Sequence, residues 1–376
     1  MNASASRIGP VTWCGIIGST CLLIFLFQKI LWLVVPFLLA LLLYYLLAPL
    51  NNKLVSSGLS TNFAATLLSG AFLLVVVGLL LLIYPRVIAN AGEWQNTVMR
   101  YLDGGARVVE ALIVEMQQNF AFLRKGNLSV ELREKTLGYA EQFSDKHLGG
   151  AIITVIAWLP SLLLAPIIAY FLLKDGGTLR KFIAETVPNA YFEKTLHLMH
   201  ALDQTARQYF VGMFKLTVID AVFLVFGLWI LGVPSPLTLG LIAAVLGWIP
   251  YIGPIIGCVL AVMVTATDFP GQITLIYAVV GLFGLLRILD DFIFLPIVIG
   301  KTMSIHPLLT LLMFFIGEAI AGVAGLMLVI PILGIVMVVG ETLEIIFRDT
   351  RLRARHAYAR QLHKRAANAD LELREL

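Results

Sequence analysis

Long apolar runs alternate with short polar segments along this chain. Runs at 11–28, 30–49, 62–85, 148–173, 211–232 and 272–296 each reach the length of about 20 residues that crosses about 30 Å of hydrocarbon as a helix. Lipid offers no partner to a free N–H or C=O, so each run is predicted as α-helix. Two further runs, 237–268 and 308–340, are too long for one crossing. As straight helices they would extend about 50 Å at 1.5 Å per residue, more than ordinary tilt absorbs. Both are interrupted near the middle. The first reads GWIPYIGPIIG at 247–257, and the second reads GEAIAGVAG at 317–325 with Pro331 beyond it. Each is predicted to fold as two arms of about 15 residues meeting at a tip, a re-entrant hairpin whose non-helical backbone needs protein or a wet cavity around it. The expected fold is therefore an all-α polytopic membrane protein with six full transmembrane helices and two re-entrant hairpins. If both long runs cross once there are eight spans instead. The loop at 297–306, with Lys301 and His306, is cytoplasmic in the first case and external in the second.

Charge placement orients the chain. Arg7 and Lys53 bound the first hairpin, Lys174, Arg180, Lys181, Lys194 and Arg207 follow the fourth span, and seven Lys and Arg crowd 348–365. Placing these groups in the cytoplasm follows the positive-inside tendency and puts both termini inside. The chain then divides into membrane helices at 1–85, an extracytoplasmic amphipathic helical insert at 86–147 and a transmembrane helix at 148–173. A cytoplasmic helical segment at 174–207 follows, then a membrane core at 208–340 and a basic cytoplasmic helix at 341–376. The insert carries Val87, Trp94, Val98, Tyr101, Val108, Leu112, Met116 and Phe120 at helical spacing. It is expected either to fold onto itself, to cap the molecule or to contact another subunit.

Composition agrees with this reading. The chain is 59% hydrophobic and 13% charged, against about 25% charged in soluble domains. Cys14, Cys21 and Cys258 all lie in apolar runs with no metal or disulfide spacing, so packing is their expected role and no metal or cofactor is predicted. The N-terminal apolar stretch lacks a small-residue cleavage site and is read as a retained span. The basic tail suits anionic headgroups, and no nucleic-acid-binding module surrounds it.

The candidate chemistry lies in the apolar runs, where ionisable side chains are costly enough to mark functional positions. Asp220 falls mid-way along its run, and Glu318 stands among glycines near the second tip. Arg287 is three and four residues before Asp290 and Asp291, so it can pair with either on one helix face. These five residues are the candidates for proton or ion coupling. Pro250, Tyr251, Gly253 and Pro254 at the first tip, with Gly317, Glu318, Gly322, Gly325 and Pro331 at the second, form the candidate solute or ion pathway. The two tips are expected to meet near mid-membrane, because interrupted segments in two parts of a chain mark transporter binding sites. Ile249-Pro250-Tyr251-Ile252-Gly253 also echoes Ile330-Pro331-Ile332-Leu333-Gly334. No HExxH, GxSxG or membrane GxGD is present, so no enzyme is expected.

These motifs, in order, resemble the AI-2E transporter family. The resemblance rests on Pro36 with ALLLYYLLAPL at 40–50, YFLLKDG at 170–176 followed by Pro188, and LGV at 231–233. It continues through IPYIGP at 249–254, LDD at 289–291 ahead of Pro296, HPL at 306–308, and the glycines 317, 322 and 325 with Pro331. It implies a multi-pass, homo-oligomeric protein of the bacterial inner membrane that exports a small polar solute such as autoinducer-2. The alternative it implies is sodium (lithium)/proton antiport. A non-transporting membrane scaffold is a third reading of the external helices and basic tail. Asp291 and Glu318 depart from the family pattern, where asparagine and a second glycine are common, and these extra carboxylates favour the cation option.

Overall fold

The computed structural model describes residues 10–29, 31–89, 91–119, 149–187, 191–298 and 307–348. Among these residues there is helix and no strand. The elements are α1 (Pro10–Lys29), α2 (Leu31–Ser56), α3 (Thr61–Ala89), α4 (Ala91–Asn119), α5 (Gly149–Thr186), α6 (Phe192–Ile230), α7 (Pro236–Leu246), α8 (Ile252–Asp268) and α9 (Ile273–Leu289). A π-helical turn (Asp290–Phe294) leads into α10 (Leu295–Val298), and α11 spans Pro307–Arg348. Five of the described helices are long and apolar enough to cross a membrane. Their outward residues are apolar: Leu81 is 70% exposed, Ile230 75% and Ile297 76%. Water would penalise such a surface, whereas lipid solvates it. The chain is an all-α membrane protein. The basic tail beyond Arg348, the second half of the insert, His306 and Lys301 lie outside the described residues.

Both long runs fold back on themselves. The first becomes α7 and α8, of 11 and 17 residues, joined through Gly247–Tyr251. They run antiparallel, since Gly253 lies against Leu246 and Gly257 against Ala243. The second is α11, whose helical path breaks at Ala321 (φ −133°, ψ 16°) and Gly322 (φ 58°, ψ −141°). Gly322 supplies the positive φ that other residues resist. Gly317 and Gly325 then meet backbone to backbone, because a Cβ on Gly325 would overlap the Gly317 carbonyl. The arms are unequal, unlike the two of about 15 residues expected. The second continues as helix through 348, because ETLEIIFR has good helix formers and no breaker.

The described chain separates into two compact units. The first gathers Met1–Leu31, Phe171–Tyr209 and Thr302–Leu376. In it α1 packs on α11, presenting the buried stripe Ile16, Thr20 and Ile24 at one-turn spacing. Thr20 satisfies its hydroxyl by donating to the Ile16 carbonyl at 2.8 Å. The cytoplasmic segment expected at 174–207 extends both flanking spans as helix, tied by Arg180 to Asp203 at 2.8 Å.

The second unit holds Trp32–Tyr170 and Phe210–Lys301. Its main core joins Leu224 and Leu228 of α6, Ala243 of α7, Ala261 of α8, and Val279, Phe283 and Leu286 of α9. A smaller cluster sets Ala40 of α2 against Ala165 and Ala169 of α5, where small side chains let helices approach closely. The insert is not a free-standing lobe in its first half, since α4 docks along α8. Gly104 lies against Thr267 and Gly105 against Met263. Arg100 pairs with Asp268 at 3.9 Å, and the Thr267 hydroxyl donates to the Arg100 carbonyl at 3.4 Å.

A Cβ at Gly104 would overlap Thr267, whereas one at Gly18 meets nothing within 4 Å. Gly104→Leu is therefore expected to lower stability by about 1–3 kcal/mol through overpacking. Gly18→Leu should change it by less than about 0.5 kcal/mol. Thermal unfolding of the detergent-solubilised protein checks both.

Candidate functional site

The turn between α7 and α8 leaves the helix while most of its amides stay paired. Gly247 N–H donates to Ala243 O at 3.0 Å, Trp248 to Val245 at 3.2 Å, and Ile249 to Leu246 at 2.9 Å. Beyond the bend, Ile252 donates to Pro250 O at 2.7 Å and Gly253 to Ile249 O at 2.9 Å. Pro254 sits in the first turn of α8, where a missing N–H costs nothing. Gly253 is required by space, since a Cβ there would overlap the Leu246 carbonyl. Tyr251 turns the corner with φ 62° and ψ −48°. For a bulky residue this costs about 1–3 kcal/mol and is found where the surroundings hold it in place.

Two side-chain contacts tie the tip to its neighbours. Trp248 Nε1 donates to Thr217 Oγ1 at 2.7 Å, and that hydroxyl donates to the Met213 carbonyl at 2.8 Å. The tip is thus bonded to α6 one turn before Asp220. The Tyr251 ring lies 5.6 Å from the guanidinium of Arg287, an attraction of order 0.5–1 kcal/mol at exposed sites.

The charges converge on the same place. Arg287 Nη2 pairs with Asp291 Oδ1 at 2.9 Å, both side chains being partly exposed, so of its two possible partners it takes the one a full turn away. Asp290 points inward at 7% exposure, and Asp220 of α6 reaches it at 8% exposure. Their carboxyl groups lie against each other, with Arg287 and Asp291 in electrostatic range. Oδ1 of each is buried without a hydrogen-bond partner among the described residues. The helix widens to a π turn at Asp290, where Leu295 N–H reaches back to the Asp290 carbonyl. Such turns are frequent at functional sites.

Asp220, Tyr251, Arg287, Asp290 and Asp291 therefore form one cluster on α6, the first tip and α9, framed by Pro250, Gly253 and Pro254. Gly317, Glu318, Gly322, Gly325 and Pro331 belong to the other unit. There Gly317 and Gly325 are buried at the crossing of the two arms, Gly322 is the bend, and Pro331 is buried within the second arm. Glu318 is exposed. The sequence echo does not mark a second equivalent tip. Pro250 lies in a turn, whereas Pro331 lies within helix beyond the bend at Gly322. Thr217 and Trp248 were not anticipated. A Trp beside the proline–glycine break, with an indole N–H needing a partner in apolar surroundings, was the available signal.

The family model for the AI-2E family transporter matches residues 16–345 of the chain. A relative from Mycobacterium tuberculosis, MT0215, is 28% identical over 320 residues, 84% of each chain. YueF of Bacillus subtilis is 26% identical over 313 residues, covering 80% of this chain and 81% of that one. YrrI of the same organism is 27% identical over 201 residues, 53% of this chain and 56% of its own length. All three carry transport-protein names that mark the role as inferred.

Two substitutions at the tip are expected to act in opposite directions. Gly253→Ala forces a methyl into the Leu246 backbone and should cost about 3 kcal/mol. Tyr251→Gly relieves the positive φ and should hold stability within about 1 kcal/mol of the parent, or raise it. Thermal unfolding midpoints of the two variants test the pair.

Proposed function

This chain belongs to the AI-2E transporter family, and we propose that it is a secondary transporter of the bacterial inner membrane carrying a small polar solute past the tip of α7 and α8. The observation that carries this reading is the convergence of Tyr251, Arg287, Asp290, Asp291 and Asp220 at a break inside an otherwise apolar run. Non-helical backbone at that depth requires a protein-lined or wet setting. An aromatic face beside a guanidinium–carboxylate pair offers stacking, donors and acceptors together, which suits a small hydroxyl-rich solute. Outward movement of a signalling molecule of the autoinducer-2 type is the leading form of this reading.

The packing of α4 supports a re-entrant first hairpin. α4 follows α3 directly, α5 and α6 each cross once, and the chain returns after Ile230 to the face that holds α4. A single crossing by α7 and α8 would take Asp268 to the opposite face, yet Asp268 pairs with Arg100 of α4. A hairpin keeps both on one side. The 17 residues of α8 then carry Tyr251 about 25 Å inward at 1.5 Å per residue. With Lys174, Lys181 and Lys194 in the cytoplasm, α4 is external and the first hairpin descends from outside.

The buried carboxyl pair favours one second reading, sodium (lithium)/proton antiport. The two readings separate by experiment. Proteoliposomes are expected to move labelled autoinducer-2, and Tyr251→Gly should cut that flux at least about tenfold without loss of stability. Flux that survives the substitution unchanged removes the tip from the pathway. Sodium-dependent collapse of a pH gradient in everted vesicles, with no flux of the signal, favours antiport. For topology, a cysteine placed at position 301 should react with impermeant maleimide only from the cytoplasmic side. Labelling from outside excludes the hairpin arrangement.

A further inference from the structure

Asp220 and Asp290 present a chemical problem that the solute site does not explain. Each is more than nine-tenths buried, each keeps one Oδ1 without a partner, and their carboxyl groups touch. Two ionised carboxylates have four acceptor oxygens and no donor between them. In a low-dielectric interior they cannot both stay charged at contact distance. Something positive must stand between them.

Two charged groups bear on the pair. Arg287 and Asp291 come from α9 and its π-helical extension. The hairpin sets Tyr251 against Arg287 and, at its far end, Asp268 against Arg100. The only cation in this set that faces the pair is Arg287, and its guanidinium is already held by Asp291 and the Tyr251 ring. A metal cation would require further ligands, and no group of three or more His, Cys, Asp or Glu side chains that could hold one is found among the described residues.

We propose that Asp220 and Asp290 form a single proton-binding site, and that Arg287 is its exchangeable counter-charge. This deepens the transporter reading and rests on it. With the proton bound, it bridges the two carboxyls, and Arg287 remains with Asp291 beneath Tyr251. When the proton leaves to water, the pair acquires a second negative charge. Arg287, three residues before Asp290 and four before Asp291, then moves from Asp291 to Asp290. That movement withdraws the cation from the face of Tyr251, so proton loss is felt at the hairpin tip. The balance is simple: one carboxyl O–H bond breaks and its proton passes to water, one guanidinium takes the proton's place, and no other covalent bond changes.

The test is infrared difference spectroscopy of the full-length protein in nanodiscs, reading the carbonyl stretch of a protonated carboxyl group near neutral pH in H2O and D2O. The parent protein should show one such band. Asp220→Asn and Asp290→Asn should each abolish it, because the amide donates the hydrogen bond that the proton supplied. Asp268→Asn should leave it. Arg287→Gln should keep the band to higher pH, since the replacement charge is gone. Absence of the band in the parent overturns the proposal whether or not the variants fold. Loss of the band on adding sodium or lithium chloride at constant pH shows a metal cation competing for the pair and overturns its assignment to the proton alone. A band whose pH midpoint is unmoved by Arg287→Gln overturns the exchange. Counterflow of labelled autoinducer-2 in vesicles of the parent protein reports on solute transport alone, so failure of the proton site and failure of the transport reading are read separately.

Discussion

A peptide group in hydrocarbon must be paired inside the protein, and the other features of this molecule follow from how that demand is met. Unbroken helix meets it automatically, which explains why helix accounts for nearly all the described residues. The informative places are the two where helix stops. At Gly247–Gly253 the amides of Gly247, Trp248, Ile249, Ile252 and Gly253 are taken up by carbonyls of α7 and of the turn. At Ala321–Gly322 the chain reverses on one left-handed glycine. Both reversals need arms that approach more closely than ordinary side chains permit. Gly253 against Leu246, and Gly317 against Gly325, provide that approach.

The same medium governs the charges. An isolated ion in an apolar run is expensive, and here Arg287, Asp291, Asp220 and Asp290 are gathered. Arg287 is neutralised by Asp291 and lies over Tyr251, while Asp220 and Asp290 meet away from solvent. Grouping keeps each charge beside another. A set of side chains with two alternative pairings can respond to a proton or a solute, whereas a fully satisfied set cannot.

Outside the apolar core, the first half of the insert is joined to the first hairpin. α4 packs along α8 through two glycines and the Arg100–Asp268 pair, and α8 ends at Tyr251. The docked stretch of α8 and the tip are thereby joined by one helix about 25 Å long at 1.5 Å per residue. Trp248 and Thr217 anchor the other side of the tip to α6, the helix that bears Asp220.

The sequence alone determined the class of the fold and the position of its breaks. Hydrocarbon thickness makes a run of 32 apolar residues with prolines and glycines at its centre incompatible with one straight span, and that argument needs no partner. It also determined which ionisable residues deserved weight, because any charge in such a run is anomalous. The tertiary structure decided which of them lie together. Asp220 and Asp290 are 70 positions apart and meet only because α6 and α9 pack around one core. Arg287 had two partners open at helical spacing and was committed to Asp291 by the inward turn of Asp290. Likewise the likeness of Ile249–Gly253 to Ile330–Gly334 was visible as letters, but only packing made the first a turn and the second a helix. Spacing along a chain carries local geometry, and proximity between distant residues depends on how helices are stacked.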